Sequence, residues 1–228
     1  MKTENIKKNR GVVAIVLGAL LFLGGMGLTG YNMYDDSRAG TAAYEAAEAL
    51  AYELPAKKLH IATAPVTEEE ILIEDKRVLP IKTINGRDYV GLLQFPNIEL
   101  ELPVQTPYSM EALNVSPAIY AGDPYHNNMV ICAHNFDSHF GRLKGMQEGE
   151  LLIFVAMDGE VFCYELSRQE ILSPRSVEEM LTGDDWDLTL FTCTLGGEYR
   201  VTARFERVYD VQLESDTAAW ILEQNHNS

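Results

Sequence analysis

An uncharged apolar run near the N-terminus limits where the rest of this chain can fold. No charged residue occurs between Gly11 and Tyr34, and residues 11–30 are apolar apart from one threonine. A run of this length can cross a hydrocarbon core of ~30 Å as a helix. Basic residues precede the run and two aspartates follow it. The positive-inside rule therefore predicts a cytoplasmic N-terminus and a body outside the membrane.

A cleaved signal peptide is the alternative interpretation of this run. The apolar region of a signal peptide is usually shorter, about 7–15 residues, and ends at a small-residue cleavage site. The length of the run therefore favours an uncleaved, single-pass anchor.

The segment after the run predicts a helix followed by a linker. Residues 38–53 are rich in Ala, Glu and Leu, which favour a helix, and Pro55 ends it. Two roles are open for this helix: a stalk that lifts the body off the membrane, and a simple spacer. Residues 56–84 mix charges and prolines without a period, with a short helix around 68–73. The predicted organisation is a cytoplasmic tail (1–10), a transmembrane anchor (11–30), a helical stalk and linker (31–84) and an extracellular folded body (85–228).

The body is too acidic for a nucleic-acid partner. The chain has a net charge of −16. Its first ten residues hold four basic residues and one acidic residue, which leaves 14 basic and 33 acidic residues, a net charge of −19, for the rest. Binding to phosphates needs a basic surface. Three cysteines, an odd number, do not make a disulfide framework.

Short strands separated by turn signals predict a mainly β body, a barrel or a sandwich. Asp158-Gly159 is the clearest hairpin signal. The predicted strands are Tyr89–Phe95, Ile98–Val104, Met129–Ala133, Leu151–Ala156, Glu160–Ile171, Leu188–Cys193 and Tyr199–Val208. Short helices are predicted at 109–113, 176–181 and 216–224.

The stretch from Leu188 to Arg200 brings a thiol and a guanidinium to one strand end. Strand side chains alternate, so Cys193 shares a face with Phe191 and ends the strand. Gly196-Gly197 then reverses the chain, and antiparallel pairing would place Arg200 beside Cys193. A nearby cation favours the thiolate, which is the nucleophilic form. An inert core cysteine is the alternative.

A histidine is the usual partner of a nucleophilic cysteine. Of the five histidines, only His134 directly follows an apolar strand, so a scaffold would hold it rigidly. A hydrogen-bonded histidine at a barrel rim is the alternative. Cys132 shares a strand face with His134 and is the rival nucleophile, but burial in an apolar run would raise its pKa. Cys163 is predicted to be core.

Four segments resemble the sortases, the membrane-anchored cysteine transpeptidases of Gram-positive surfaces. TLFTC at 189–193 matches the TLxTC signature of that family. VICAHNFDSHFGRL at 130–143 resembles the segment that carries its histidine, and RVTARF at 200–205 resembles its final strand. VGLLQFPNIELELPV at 90–104 resembles its first two strands. The resemblance covers roughly residues 85–210, in family order, with Ala133 where sortases often have glycine.

The resemblance implies an eight-stranded β-barrel with short helices, preceded by the transmembrane helix and stalk. It implies cleavage of an LPxTG-like sorting signal between Thr and Gly, with Cys193 as nucleophile, His134 as acid and base, and Arg200 on the substrate and oxyanion. Thr192 and Thr194 are further candidates for substrate or oxyanion contacts, the latter through its backbone N–H. The implied partners are surface proteins that bear the signal and an amine from a peptidoglycan precursor or a pilin lysine.

No cofactor and no metal are expected. Some sortases bind calcium near the loop that here holds Glu178 and Glu179, but the first turn of a helix explains two acidic residues equally well. The short turn at 194–199 and the segment at 172–187 favour a class B- or D-like sortase. An L,D-transpeptidase-like enzyme remains an alternative, although its nucleophile usually follows a glycine. A non-catalytic anchored β-domain is the second alternative function.

Two further arginines lie on the strand that begins at Arg200. Arg204 is four residues further on, about 13 Å at ~3.3 Å per residue, and Arg207 is further still. Neither can reach the thiol, so lysine is expected to be tolerated at both positions.

Overall fold

The computed structural model describes residues 2–54, 77–181 and 185–209. The helices predicted at 68–73 and 216–224 lie outside these residues. The chain divides into two units, the first ending at Arg38 and the second beginning at Ala39.

One helix, α1, joins the predicted anchor and the predicted stalk. It extends without a break over Lys2–Glu53. From Gly11 onward it is long and apolar enough to cross a membrane. Its apolar side chains in this part are exposed, Leu21 to 78% and Phe22 to 69%. An exposed apolar surface of this length is consistent with a membrane anchor.

The last part of α1 packs within the second unit. Small side chains recur on one face at Ala39, Ala43 and Ala47, and all three are buried. Gly40 lies so close to Ser138 that an added Cβ would stand 2.8 Å from the Cβ of that serine. Leu50 is fully buried. This part of α1 therefore contacts the folded body, beyond the stalk or spacer role considered for it.

The body is a closed β-barrel, as the sequence predicts. Its strands are β1 (Lys82–Ile84), β2 (Arg87–Phe95), β3 (Leu100–Gln105), β4 (Ala118–Ala121), β5 (Met129–Cys132), β6 (Leu151–Ala156), β7 (Val161–Leu172), β8 (Leu188–Cys193) and β9 (Arg200–Arg207). They follow the order β1-β2-β3-β4-β5-β8-β9-β7-β6, and pairing of β2 with β6 closes a barrel of eight strands. The short β1 pairs only with β2, beyond the closed barrel.

Two short helices and two 3₁₀ turns complete the described body. The helices are α2 (Met110–Leu113) and α3 (Val177–Leu181), and the turns are Pro96–Ile98 and Leu143–Gly145. The Ser109 hydroxyl accepts a hydrogen bond from the N–H of Ala112 at 3.0 Å and so caps α2.

The two faces of β8 meet different surroundings. Leu188 and Leu190 point into the barrel core, among Phe154, Phe162 and Phe205. Phe191, on the opposite face, packs with Cys132 and the residues of α2. Because side chains alternate along a strand, Cys193 lies on this outer face. On this outer face α2 therefore packs beside Phe191, two residues before Cys193.

Candidate active site

Three neighbouring strands end at the same edge of the barrel. β5 and β8 are parallel, with Cys132 paired to Phe191, so two residues further along His134 follows β5 level with Cys193. β8 and β9 are antiparallel, and Cys193 pairs directly with Arg200. The register therefore brings an imidazole, a thiol and a guanidinium to adjacent positions. The predicted pairing of Cys193 with Arg200 is confirmed.

A buried hydrogen bond ties the ends of β5 and β8 together. The Thr192 hydroxyl donates to the carbonyl oxygen of Ala133 at 2.9 Å. One residue earlier on β8, the Phe191 carbonyl oxygen accepts from the N–H of Ala133 at 3.3 Å. Thr192 is 3% exposed, so its side chain holds the strands and is not presented to a substrate. It fixes the two residues that precede His134 and Cys193.

Exposure and pKa separate the three thiols. Cys193 is half-buried, whereas Cys132 and Cys163 are buried. Burial raises the pKa of Cys132 to about 12 and that of Cys163 to about 11. Because the thiolate is the nucleophile, both buried thiols are unreactive near neutral pH. Cys193 is the accessible thiol among them.

The turn after Cys193 holds the arginine. Arg200 Nη1 donates to the carbonyl oxygens of Gly197 and Tyr199, both at 3.1 Å. The N–H of Thr194 donates to the Tyr199 carbonyl oxygen at 3.0 Å, so it is directed into the turn. The expected use of that N–H for an oxyanion does not fit this geometry. Arg200 is the cation at this strand end.

A compact turn supports the histidine. The N–H of Phe140 donates to the His134 carbonyl oxygen at 3.1 Å, and the Phe136 ring lies 5.0 Å from the His134 imidazole. Gly141 approaches the backbone closely, since an added Cβ would lie 2.6 Å from the Asn135 carbonyl oxygen. His139 is 1% exposed, which removes it as a candidate for contact with a substrate.

A row of aromatic rings borders the site on the α2 side, and sequence reasoning missed it. The rings of Tyr108 and Tyr120 lie 5.4 Å apart, and so do those of Tyr120 and Phe191. Burial raises the pKa of the Tyr108 phenol, and the charge of Arg200 opposes the shift. Tyr108 therefore lies within electrostatic range of the site. No local motif marks it, because it reaches the site only through the fold.

Arg204 differs from the expectation for it. Its side chain does not reach the thiol, as predicted, because it is directed to residues 170, 179, 180 and 189. However, Arg204 is 1% exposed, and the expected tolerance of lysine ignores that burial.

Among the described residues, no cluster of three or more metal-ligating side chains occurs.

Comparison with known proteins gives one family. The family model described as "Sortase domain" matches residues 93–208, just over half of the chain. No curated protein sequence matches the chain.

Solved structures agree on the fold. Sortase A from Corynebacterium diphtheriae is 17% identical with a TM-score of 0.51, over 80% of this chain and 87% of that one. Sortase C1 of GBS pilus island 1 is 17% identical with a TM-score of 0.50, over 82% and 90%. Clostridium perfringens sortase C with the C-terminal cell wall sorting motif is 20% identical with a TM-score of 0.50, over 66% and 94%. The class B- or D-like assignment stays a prediction.

Proposed function

The chain belongs to the sortase family, and we propose that its transpeptidase site consists of Cys193, His134 and Arg200. The single observation that supports this assignment is the register at the ends of β5, β8 and β9, which makes these residues neighbours. Membership of the family disfavours both alternatives, the L,D-transpeptidase-like enzyme and the non-catalytic domain.

The reaction has two covalent steps. The Cys193 thiolate attacks the threonine carbonyl carbon of an LPxTG-type signal, and the Thr–Gly C–N bond breaks to leave a thioester. His134, as imidazolium, gives its proton to the departing glycine amine. The neutral imidazole then takes a proton from the incoming amine, which attacks the thioester and releases the thiolate.

Arg200 stabilises the negative charge that develops during each of these steps. Each tetrahedral intermediate places a negative charge on the former carbonyl oxygen. This oxygen lies beside Arg200, because Arg200 pairs with Cys193. Arg200 Nη1 donates hydrogen bonds to carbonyl oxygens of the turn. The guanidinium has further N–H donors for an oxyanion and for a substrate backbone. A guanidinium stays charged throughout.

The substrate side is proposed from the family. One similar structure is of a sortase C with a C-terminal cell wall sorting motif, which supports signals of LPxTG type for this enzyme. The acceptor is an amine, from a peptidoglycan precursor or a pilin lysine. Surface proteins that bear the signal are the donors.

The orientation in the membrane follows from charge. We place residues 1–10 in the cytoplasm, residues 11–30 in the bilayer and residues 35–228 outside, as the basic flank predicts. Protease added to intact protoplasts should degrade the body. A body that stays protected while control surface proteins are digested would contradict this orientation.

The site assignment is tested with the full chain purified in detergent. The wild type should cleave an LPxTG-type peptide and join its threonine to an added amine, either a peptidoglycan stem peptide or a lysine side chain. Cys193→Ala should abolish both steps, whereas Cys132→Ala should keep them because its thiol is protonated and buried. Loss of activity in Cys132→Ala with a normally folded protein would reverse the assignment.

A further inference from the structure

The most buried charged side chain of the described chain lies outside the catalytic cluster. Arg204, on β9, is 1% exposed. Burial lowers the pKa of its guanidinium, and the carboxylate of Glu170 opposes the shift. Burying a guanidinium is costly unless its donors are satisfied. The contacts that satisfy it therefore indicate what this arginine does.

Those contacts join three strands to the β7–β8 connection. Arg204 Nε donates to Glu170 Oε1 on β7 at 2.7 Å, and Nη1 donates to the Thr189 hydroxyl on β8 at 2.7 Å. In the connection itself, the carbonyl oxygens of Glu179 and Met180 accept from Nη2 and Nη1. The guanidinium also lies 4.2 Å from the centroid of the Trp186 ring, a cation–π contact.

The two carbonyl groups belong to α3, which is too short to be stable alone. α3 has five residues, with acidic side chains in its first turn and no basic residue in its last. So short a helix is unstable alone, and its last carbonyls lack partners within the helix. Arg204 supplies both hydrogen bonds and positive charge at that end. The position of α3 thus depends on a residue of β9.

The position of α3 matters because the connection begins beside the catalytic cluster. Leu172, the last residue of β7, pairs with Arg200, which pairs with Cys193. Further along the connection, α3 lies near Thr189 of β8, because the Arg204 guanidinium contacts both. α3 presents Val177 and Leu181, each 40% exposed. These apolar side chains suit contact with the apolar residues of a peptide.

We propose that Arg204 is a positioning residue, which holds α3 as one wall of the groove where the sorting signal binds. The proposal rests on the site and substrate given above as the function. Arg204 does not contact the reacting atoms; it acts through the backbone of α3. Its loss should therefore weaken peptide binding more than it slows the chemistry at Cys193.

The test uses Arg204→Lys in the full chain, with Arg207→Lys as the matched control. Arg207 lies on the same strand, but its guanidinium stacks on Phe162 and Tyr209, away from α3. Lysine keeps the charge at 204 but cannot serve all four acceptors. We expect the KM for the signal peptide to rise about 10-fold or more, since small errors in positioning groups have large kinetic effects. The kcat should change far less.

Two readouts separate this role from a general loss of stability. Amide hydrogens of Val177–Leu181 should exchange faster in Arg204→Lys, while those of β2 and β3 keep the wild-type rate. The rate at which a methanethiosulfonate reagent modifies Cys193 should stay within about 2-fold, because the thiol and its neighbours are unchanged. If Arg204→Lys does not fold, Glu170→Gln, which keeps the acceptor and removes its charge, should show the same pattern with a smaller rise in KM.

The outcomes are distinct. Unchanged exchange in α3 together with an unchanged KM would overturn the proposal. A fall in kcat and stability with no change in KM would assign Arg204 a structural role only, which also overturns it. If the wild type processes no LPxTG-type peptide, the proposed substrate is wrong, and exchange in α3 still decides whether Arg204 positions the helix.

Discussion

Removing the Thr192 hydroxyl tests how the catalytic residues are held together. Thr192→Val keeps the shape of the side chain and deletes its 2.9 Å bond to the Ala133 carbonyl oxygen. Thr192 and Ala133 are 3% and 5% exposed, so water cannot replace the lost donor. A lost hydrogen bond and an unsatisfied buried acceptor together cost about 1–3 kcal/mol of unfolding free energy.

The kinetic effect should exceed what the stability loss alone produces. The bond lies one residue before both His134 and Cys193, and a displacement of ~1 Å between catalytic groups costs up to about 10²-fold in rate. We expect kcat to fall about 10- to 100-fold, with little change in KM. The assay is steady-state cleavage of the peptide at a temperature where the variant is fully folded by circular dichroism.

Thr202→Val is the matched control. Thr202 is fully buried, and within the described part of the chain its hydroxyl has no hydrogen-bond partner. Deleting such a hydroxyl should leave stability unchanged or raise it. Equal unfolding free energies and equal kcat values for the two valine variants would refute the idea that the Thr192 bond aligns the site.

Two further predictions concern the thiols and the arginine. With a thiol reagent at pH 8 the folded protein should be modified at Cys193 alone, as read by peptide mapping. The raised pKa values of Cys132 and Cys163, about 12 and 11, keep both thiols protonated until the pH approaches those values. Modification of Cys132 or Cys163 in the folded protein would contradict this. Arg200→Lys should lower turnover by about 10²-fold, as expected when a donor to an oxyanion is lost, while Arg207→Lys should keep wild-type turnover; similar rates for the two variants would remove Arg200 from the chemistry.

Local patterns were sufficient to predict the hairpin at the site. Alternating side chains from Leu188 to Cys193 and the pair Gly196-Gly197 encode two strands and the turn between them. Both glycines adopt positive φ, +92° and +76°, which favours glycine. The pairing of Cys193 with Arg200 follows from that turn alone.

Features that depend on distant segments were not predictable. β4 (Ala118–Ala121) has four residues and follows a proline, which makes its pattern too short to recognise. The burial of Arg204 depends on Glu170 and on two carbonyls of the preceding connection, 24 to 34 residues away. Such partners meet only when the barrel closes. The same is true of Tyr108, whose ring packs against Tyr120 of β4, which in turn packs against Phe191 of β8.

The most direct test of the central claim is the identity of the residue that carries the acyl group. The full chain is incubated with an LPxTG-type peptide without added amine, quenched in acid, digested and analysed by mass spectrometry. The account predicts a thioester of the peptide, ending at threonine, on Cys193. An adduct on Cys132, or turnover of the peptide with Cys193 replaced by alanine, would contradict it.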